Sequence, residues 1–165
     1  MSRDSILHQR GFTIIEILLV IVIMGVFLTL AVPSFVTFTS TQKVKTASFD
    51  LYAAMMFARS EAIKRKVNVT VAPTDAVDWK NGWTVAAAGV ATPLRTQDAL
   101  SGVILSGATS VVYRLDGRLT GATVKVLIQP EIADNSIDYR CIQVDMTGLP
   151  KTTNIRHPYT SPPCP

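Results

Sequence analysis

Phe12-Thr13-Ile14-Ile15-Glu16-Ile17-Leu18-Leu19-Val20 opens an apolar run that continues as IVIMGVFLTLAVPSFV to Val36. Glu16 is the only charge in these 25 residues, and the 16 residues from Ile17 to Val32 carry none. A helix of that length crosses a bilayer core of roughly 30 Å. The rest of the 165-residue chain has ordinary polarity. The pattern therefore predicts one membrane-length segment at the N-terminus followed by one domain.

Composition narrows the classes further. Hydrophobic residues make up 48% of the chain and charged residues 17%, which excludes a disordered chain. Nine Gly and nine Pro exclude collagen-like and low-complexity sequence. A formal charge of +4 is too mild by itself to imply nucleic acid. The two Cys lie late and the two His are scattered, so the usual four-ligand zinc spacing is absent.

Two basic residues, Arg3 and Arg10, precede the apolar run. Basic flanks stay cytoplasmic, which places the downstream domain outside the cytoplasm. A cleaved secretory signal has the same basic start, but its apolar region is about 7–15 residues long. The nearest small-residue cleavage site, Ala31-Val32-Pro33, is not followed by a polar start. Glu16 has two physical readings. It is an interfacial acid favoured by the positive end of a helix, or it neutralises an amine on a neighbouring chain within the membrane.

Arg10-Gly11-Phe12-Thr13-Ile14-Ile15-Glu16-Ile17-Leu18 resembles the type IV prepilin processing motif. The resemblance implies cleavage between Gly11 and Phe12 by a prepilin peptidase, and N-methylation of Phe12. It also implies an assembly role for Glu16, paired with the Phe12 amine of an adjacent subunit, and matches Pro33 to the family's helix-interrupting proline. Removing residues 1–11 takes away Arg3, Asp4 and Arg10 and lowers the formal charge from +4 to +3. A buried ion pair tolerates little misplacement, so such a pair would fix register more than it adds stability.

Between Thr39 and Arg65 there is neither Pro nor Gly. Val44, Ser48, Leu51, Met55, Ala58 and Ala62 recur at helical spacing, widened by Tyr52, Met56 and Ile63, while Lys43, Lys45, Asp50, Arg59 and Lys66 take the other face. The helix is thus expected from Phe12 to about Arg65, roughly 80 Å at 1.5 Å per residue, with Gly25 and Pro33 as weak points. After Lys66 the period falls to two. Strands are expected near 67–71, 82–85, 103–105, 110–115, 123–129 and 139–145, with a turn at 78–81 and a hairpin turn at Asp116-Gly117. The expected fold class is α+β: a long N-terminal helix, half transmembrane and half amphipathic, packed on an antiparallel β-sheet domain. The expected organisation is a leader at 1–11, a transmembrane and filament-core helix at 12–38, and an extracytoplasmic domain at 39–165.

The later motifs sharpen the resemblance. Phe57-Ala58-Arg59-Ser60-Glu61-Ala62, then Trp79-Lys80-Asn81-Gly82-Trp83, Tyr113-Arg114-Leu115-Asp116-Gly117-Arg118, and Tyr139-Arg140-Cys141-Ile142 follow in the order seen in the FimT/FimU/GspH branch of pilins and pseudopilins. On their own, Arg59 and Glu61 read as a solvated helix face, and Trp79 and Trp83 as core or edge packing. Cys141 and Cys164 are expected to pair outside the cytoplasm. They would fasten a Pro-rich tail to the last strand, stabilising the fold by about 3.5 kcal/mol in the chain-entropy account.

No catalytic constellation, P-loop or GxGxxG is present, so the chain reads as a structural subunit with no enzymatic activity, no cofactor and no metal. The resemblance implies a minor type IV pilin, held in the inner membrane with a periplasmic domain before it joins a pilus. Its expected partners are other major and minor pilins, the prepilin peptidase and the inner membrane. A minor pseudopilin of type II secretion is the alternative. DNA is a further candidate partner. FimT-like proteins that support DNA uptake carry a Gly-Arg-x-Arg motif where this chain has Gly148-Leu149-Pro150-Lys151, without either arginine. Arg140, Lys151 and Arg156 remain as a candidate phosphate patch, with His157 and Tyr159 nearby.

Overall fold

The structure, a computed structural model, describes residues 12–75, 78–132, 136–156 and 164, without the side chains of 30, 31 and 33. The chain divides into two compact units, residues 1–36 and 37–165. One helix, α1, runs Ile14–Arg65 and belongs to both.

The first unit is the apolar half of α1. Its described side chains are exposed throughout, from Phe12 at 80% to Leu28 at 61%. The helix passes through Gly25 and Pro33 without a break in its helical assignment. Its most apolar 18-residue window has a mean hydropathy of 2.9.

The second unit contains the rest of α1 and eight strands: β1 Val69–Pro73, β2 Trp83–Ala87, β3 Arg95–Gln97, β4 Val103–Gly107, β5 Val111–Tyr113, β6 Val124–Pro130, β7 Tyr139–Val144 and β8 Pro150–Ile155. They form two four-stranded sheets, β3-β2-β1-β5 and β4-β6-β7-β8, antiparallel throughout. The six expected strands are present, and β3 and β8 are additional. Neither addition shows apolar alternation, because both are edge strands with mostly exposed side chains. The division into two sheets was not visible in the sequence either.

Both sheets face the same stripe of α1. Val44, Ala47, Leu51, Ala54, Met55, Ala58 and Ala62 are each at most 2% exposed and share one core with Val69, Val71, Val85, Val126, Ile128, Ile142 and Val144. Five residues on this stripe, including Ser48, are small. Tyr52 and Met56 lie half-buried at its margin, and Ile63 is 40% exposed. The helix stops at Lys66, whose N–H still bonds the Ala62 carbonyl but whose φ of 59° is left-handed. The expected turn at 78–81 is a 3-10 turn, Trp79–Asn81, capped by the Asp78 carboxylate accepting from the Lys80 N–H at 2.9 Å.

Candidate assembly surfaces and the packing that frames them

Four places bear on function: the start of α1, the end of α1 with the motif loops packed on it, the disulfide, and the trough beside β8.

At the start of α1, the Glu16 N–H donates to Thr13 Oγ1 at 3.3 Å while the Thr13 N–H donates to Glu16 Oε2 at 3.4 Å. This reciprocal pair is a capping box, which satisfies two of the backbone donors a helix start leaves open. The Thr-x-x-Glu spacing is its sequence signature; the reading of Glu16 as an acid at a helix N-terminus placed the charge correctly but missed its reciprocal bond with Thr13. Phe12 is exposed immediately before the box. Gly11 lies outside the described residues, and Pro33 falls within α1.

The end of α1 corrects the expected solvated face. Arg59 is partly buried, and its Nε donates to the Gly117 carbonyl at 3.0 Å. Glu61 is buried at 7% exposure, with its carboxylate taken by Arg65 and with Lys64 at 3.6 Å. The hydrogen bond from Arg65, ahead of the opposing effect of burial, holds the Glu61 carboxyl below its ordinary value. Gly117 closes the expected Asp116-Gly117 turn with φ 77°, donating to the Arg114 carbonyl at 2.8 Å. A Cβ there would lie 2.6 Å from Ile63 Cδ1. Gly148, φ 79°, comes so close that a Cβ would lie 2.1 Å from the Gly117 oxygen. Arg59, Gly117 and Gly148 thus form one junction between helix and loops, and this explains the loop glycines physically.

Trp79 and Trp83 are core residues, each 1% exposed, with ring centroids 6.3 Å apart. Trp79 Nε1 donates to the Ala108 carbonyl at 2.6 Å, which answers the polar edge of a buried indole. Gly82 between them has φ 92°, and a Cβ would lie 2.2 Å from the Gln97 oxygen, so the motif's glycine is required where β2 meets the β3 side. Tyr113 is fully buried, and its hydroxyl has no partner among the described residues. Burial pushes its ionisation well above the usual tyrosine range, so it stays neutral.

Cys141 and Cys164 form the expected disulfide, with Cα atoms 5.6 Å apart. Together with Leu127 they make a small apolar cluster, with Tyr139 and Ile155 against it. It is separate from the main core, on the side of β6-β7 facing away from α1, since Ile142 beside Cys141 belongs to the core cluster. Lys125 Nζ also donates to the Cys164 carbonyl at 3.2 Å.

The candidate DNA residues do not make one cationic face. In the β7–β8 ladder Arg140 pairs with Asn154 and Lys151 with Gln143, positions of opposite parity whose side chains leave opposite faces. Lys151 Nζ is 3.7 Å from the Asp145 carboxylate. Arg156 is exposed just beyond β8. His157 and Tyr159 lie outside the described residues. Arg140 and Lys151 do both border an open trough of about 660 Å³ between α1 and β8, lined from the helix by Lys45, Ser48, Phe49 and Tyr52. No group of three or more metal-ligating side chains occurs among the described residues.

An apolar helix ending in a capped, nearly uncharged stub, joined to an amphipathic half packed on antiparallel sheets, is the architecture of a pilin-like subunit. The chain belongs to the family described as type II transport protein GspH, whose family model matches residues 47–148. The prokaryotic N-terminal methylation motif matches residues 6–32. Among solved structures, the chain is similar to the type IV minor pilin FimU of Pseudomonas aeruginosa PAO1, with 19% identity, TM-score 0.59, and coverage of 77% of this chain and 98% of that one. It is also similar to the minor pseudopilin EpsH from the type 2 secretion system of Vibrio cholerae, with 13% identity, TM-score 0.52, and coverage of 68% and 97%. No curated protein matches the chain. The fold is the α+β pilin fold expected from the sequence.

Proposed function

We propose that this chain is a minor type IV pilin that is cleaved after Gly11, methylated on Phe12, incorporated into a pilus and active in starting its assembly with other pilins. Before assembly it is held in the inner membrane with residues 39–165 on the periplasmic side. The carrying observation is the first half of α1. Every described side chain from Phe12 to Thr29 is exposed, and the run is apolar except for Thr13, Glu16 and Thr29. Each large apolar side chain gains about 1.5–3 kcal/mol on leaving water, so such a surface demands a bilayer or a bundle of like helices. The processing motif before it and the pilin domain after it fit both surroundings in succession.

The test is direct. The membrane-extracted protein should begin at methylated Phe12 by mass spectrometry, and Gly11→Val should retain residues 1–11. A mature N-terminus near Pro33 would refute the reading. A second reading, a minor pseudopilin of type II secretion, is favoured by the description of the matching family. Deleting the gene separates the two: loss of surface pili supports the first, and loss of protein secretion with pili intact supports the second. DNA binding is the weaker alternative, since Lys151 is already paired and Arg140 faces the helix side of the sheet.

A further inference from the structure

Among the described residues β8 is an edge strand, and at six residues it is the longest of the four sheet edges. Its first two positions are guarded in the usual way, Pro150 lacking a donor and Lys151 carrying a charge. The next four, Thr152-Thr153-Asn154-Ile155, have neither guard. The trough runs beside Pro150 to Thr153, so it borders the guarded start and the first two unguarded residues. A second depression of about 340 Å³, lined by Thr41, Lys45, Ser136, Asp138, Arg140 and Asn154, continues it. Lys45 and Arg140 line both, so one channel follows β8 between the strand and α1. Neither cation forms an ion pair with a described residue. Phe49, on the channel wall, is 70% exposed, the most exposed large apolar side chain among the described residues of the second unit.

We propose that this channel receives an extended, carboxylate-bearing segment of another pilin-like subunit, added as a strand to β8. The inference rests on the pilin reading above. An unpaired strand edge presents alternating N–H and C=O groups, and a peptide backbone supplies the matching donors and acceptors. A DNA backbone offers acceptors but no donors for the strand's carbonyls, so it satisfies only half of that edge. Lys45 and Arg140, against the single carboxylate Asp138 in the same lining, then select carboxylates on the incoming segment, Arg140 with the fork geometry suited to them. Phe49 supplies the apolar anchor that most protein interfaces place beside their polar contacts. The net positive charge of this chain, with cations lining the channel, disfavours a second copy in the same seat.

The experiment places the photocrosslinking amino acid p-benzoylphenylalanine at Phe49 of the full chain in the source bacterium, with the same probe at exposed Val90 as the control. Irradiated filaments are purified and the joined peptides are sequenced by mass spectrometry. The expected product joins position 49 to an Asp- or Glu-bearing segment of a different pilin-like subunit. Lys45→Gln with Arg140→Gln should lower its yield by about tenfold, the loss of charge-assisted contacts, while the Cys141–Cys164 disulfide shows that the variant is folded. A processed, filament-borne protein giving no product above the Val90 control overturns the inference and leaves the pilin reading standing. A product with DNA or with a second copy, or a yield indifferent to the double substitution, also overturns it. An unprocessed chain absent from filaments would instead refute the pilin reading itself, and the inference with it.

Discussion

Gly148→Ala should destabilise the domain far more than the same substitution at Gly121, although both positions are left-handed. At Gly121, φ is 109° and a new Cβ meets nothing within 4 Å. The cost there is the left-handed backbone, about 1–2 kcal/mol, partly offset by the lower unfolded-state entropy of alanine, about 0.4–1 kcal/mol. The net loss is about 1 kcal/mol. At Gly148 the new Cβ would stand 2.1 Å from the Gly117 oxygen, where ordinary contact begins at 3.4 Å. That oxygen is a backbone atom and also accepts the Arg59 bond at 3.0 Å, so it cannot move aside without breaking the helix-to-loop junction. Overpacking adds about 1–3 kcal/mol to the backbone cost, for a total of about 2–4 kcal/mol. For a domain of this size that is a fall in Tm of about 10 °C, against about 3 °C for Gly121→Ala.

The assay is thermal unfolding followed by tryptophan fluorescence, because both tryptophans of the chain lie buried side by side in the core. Arg59→Ala sharpens the test. It removes the acceptor's partner, so Gly148→Ala should cost less in that background than alone. Equal losses at Gly148 and Gly121, or strict additivity with Arg59→Ala, would refute the junction as the reason for the glycines.

Other consequences are separable from this one. Cys164→Ser should leave the protein folded but lower its stability by about 3.5 kcal/mol, read by chemical denaturation with and without reductant, since α1 and most strands lie outside the closed loop. Lys66→Gly should raise stability by about 1 kcal/mol, because the helix ends on a left-handed residue that glycine adopts without strain. Glu61 has a depressed folded-state pKa, so its contribution is present above its ordinary value of 4.5 and lost as pH falls through the folded value. Glu61→Gln should therefore weaken the fold at neutral pH and make its stability less steep below pH 4.5, measured by urea titrations across that range. Glu16→Val should still insert and be cleaved, but should be depleted from purified pili. Normal incorporation would remove the proposed role of the charge.

How far the sequence revealed these features follows from what each element buries. The α1 stripe was readable because one face of a helix repeats Val44, Leu51, Met55, Ala58 and Ala62 against a core. The strands with alternating burial, such as β1 and β2, were readable for the same reason. β3 was not, since Arg95-Thr96-Gln97 is polar, only Gln97 is even half-buried, and the strand is defined by its pairing with β2. β8 left a faint trace in its Thr-Thr-Asn-Ile run, and that trace was obscured by reading the segment as tail. Arg59 and Glu61 looked like surface because charge is normally solvated. Only the fold brings the Gly117 carbonyl to Arg59 and buries Glu61, whereas the Glu61–Arg65 pair follows from i, i+4 spacing on one helix. The trough beside β8 was not visible in sequence at all, since it joins residue 45 to residue 140.

The capping box changes how Glu16 fits the proposed assembly. A carboxylate with no partner in the free subunit would be costly in a membrane, and the neighbouring amine would have to arrive before the charge was tolerable. Here one oxygen already accepts from the Thr13 N–H, at a long 3.4 Å, and the Glu16 N–H is held by the threonine hydroxyl. The second oxygen has lone pairs left for an incoming ammonium. The same carboxylate can therefore keep the first turn of α1 formed while the subunit waits and present an acceptor in a fixed direction when a neighbour's Phe12 amine arrives. Under this reading Thr13→Ala should reduce incorporation only slightly, because it removes the hydroxyl that caps the Glu16 N–H but keeps the residue-13 N–H that holds the carboxylate. Glu16→Val, by contrast, removes the acceptor and keeps the hydroxyl cap, so its incorporation should fall much further than that of Thr13→Ala.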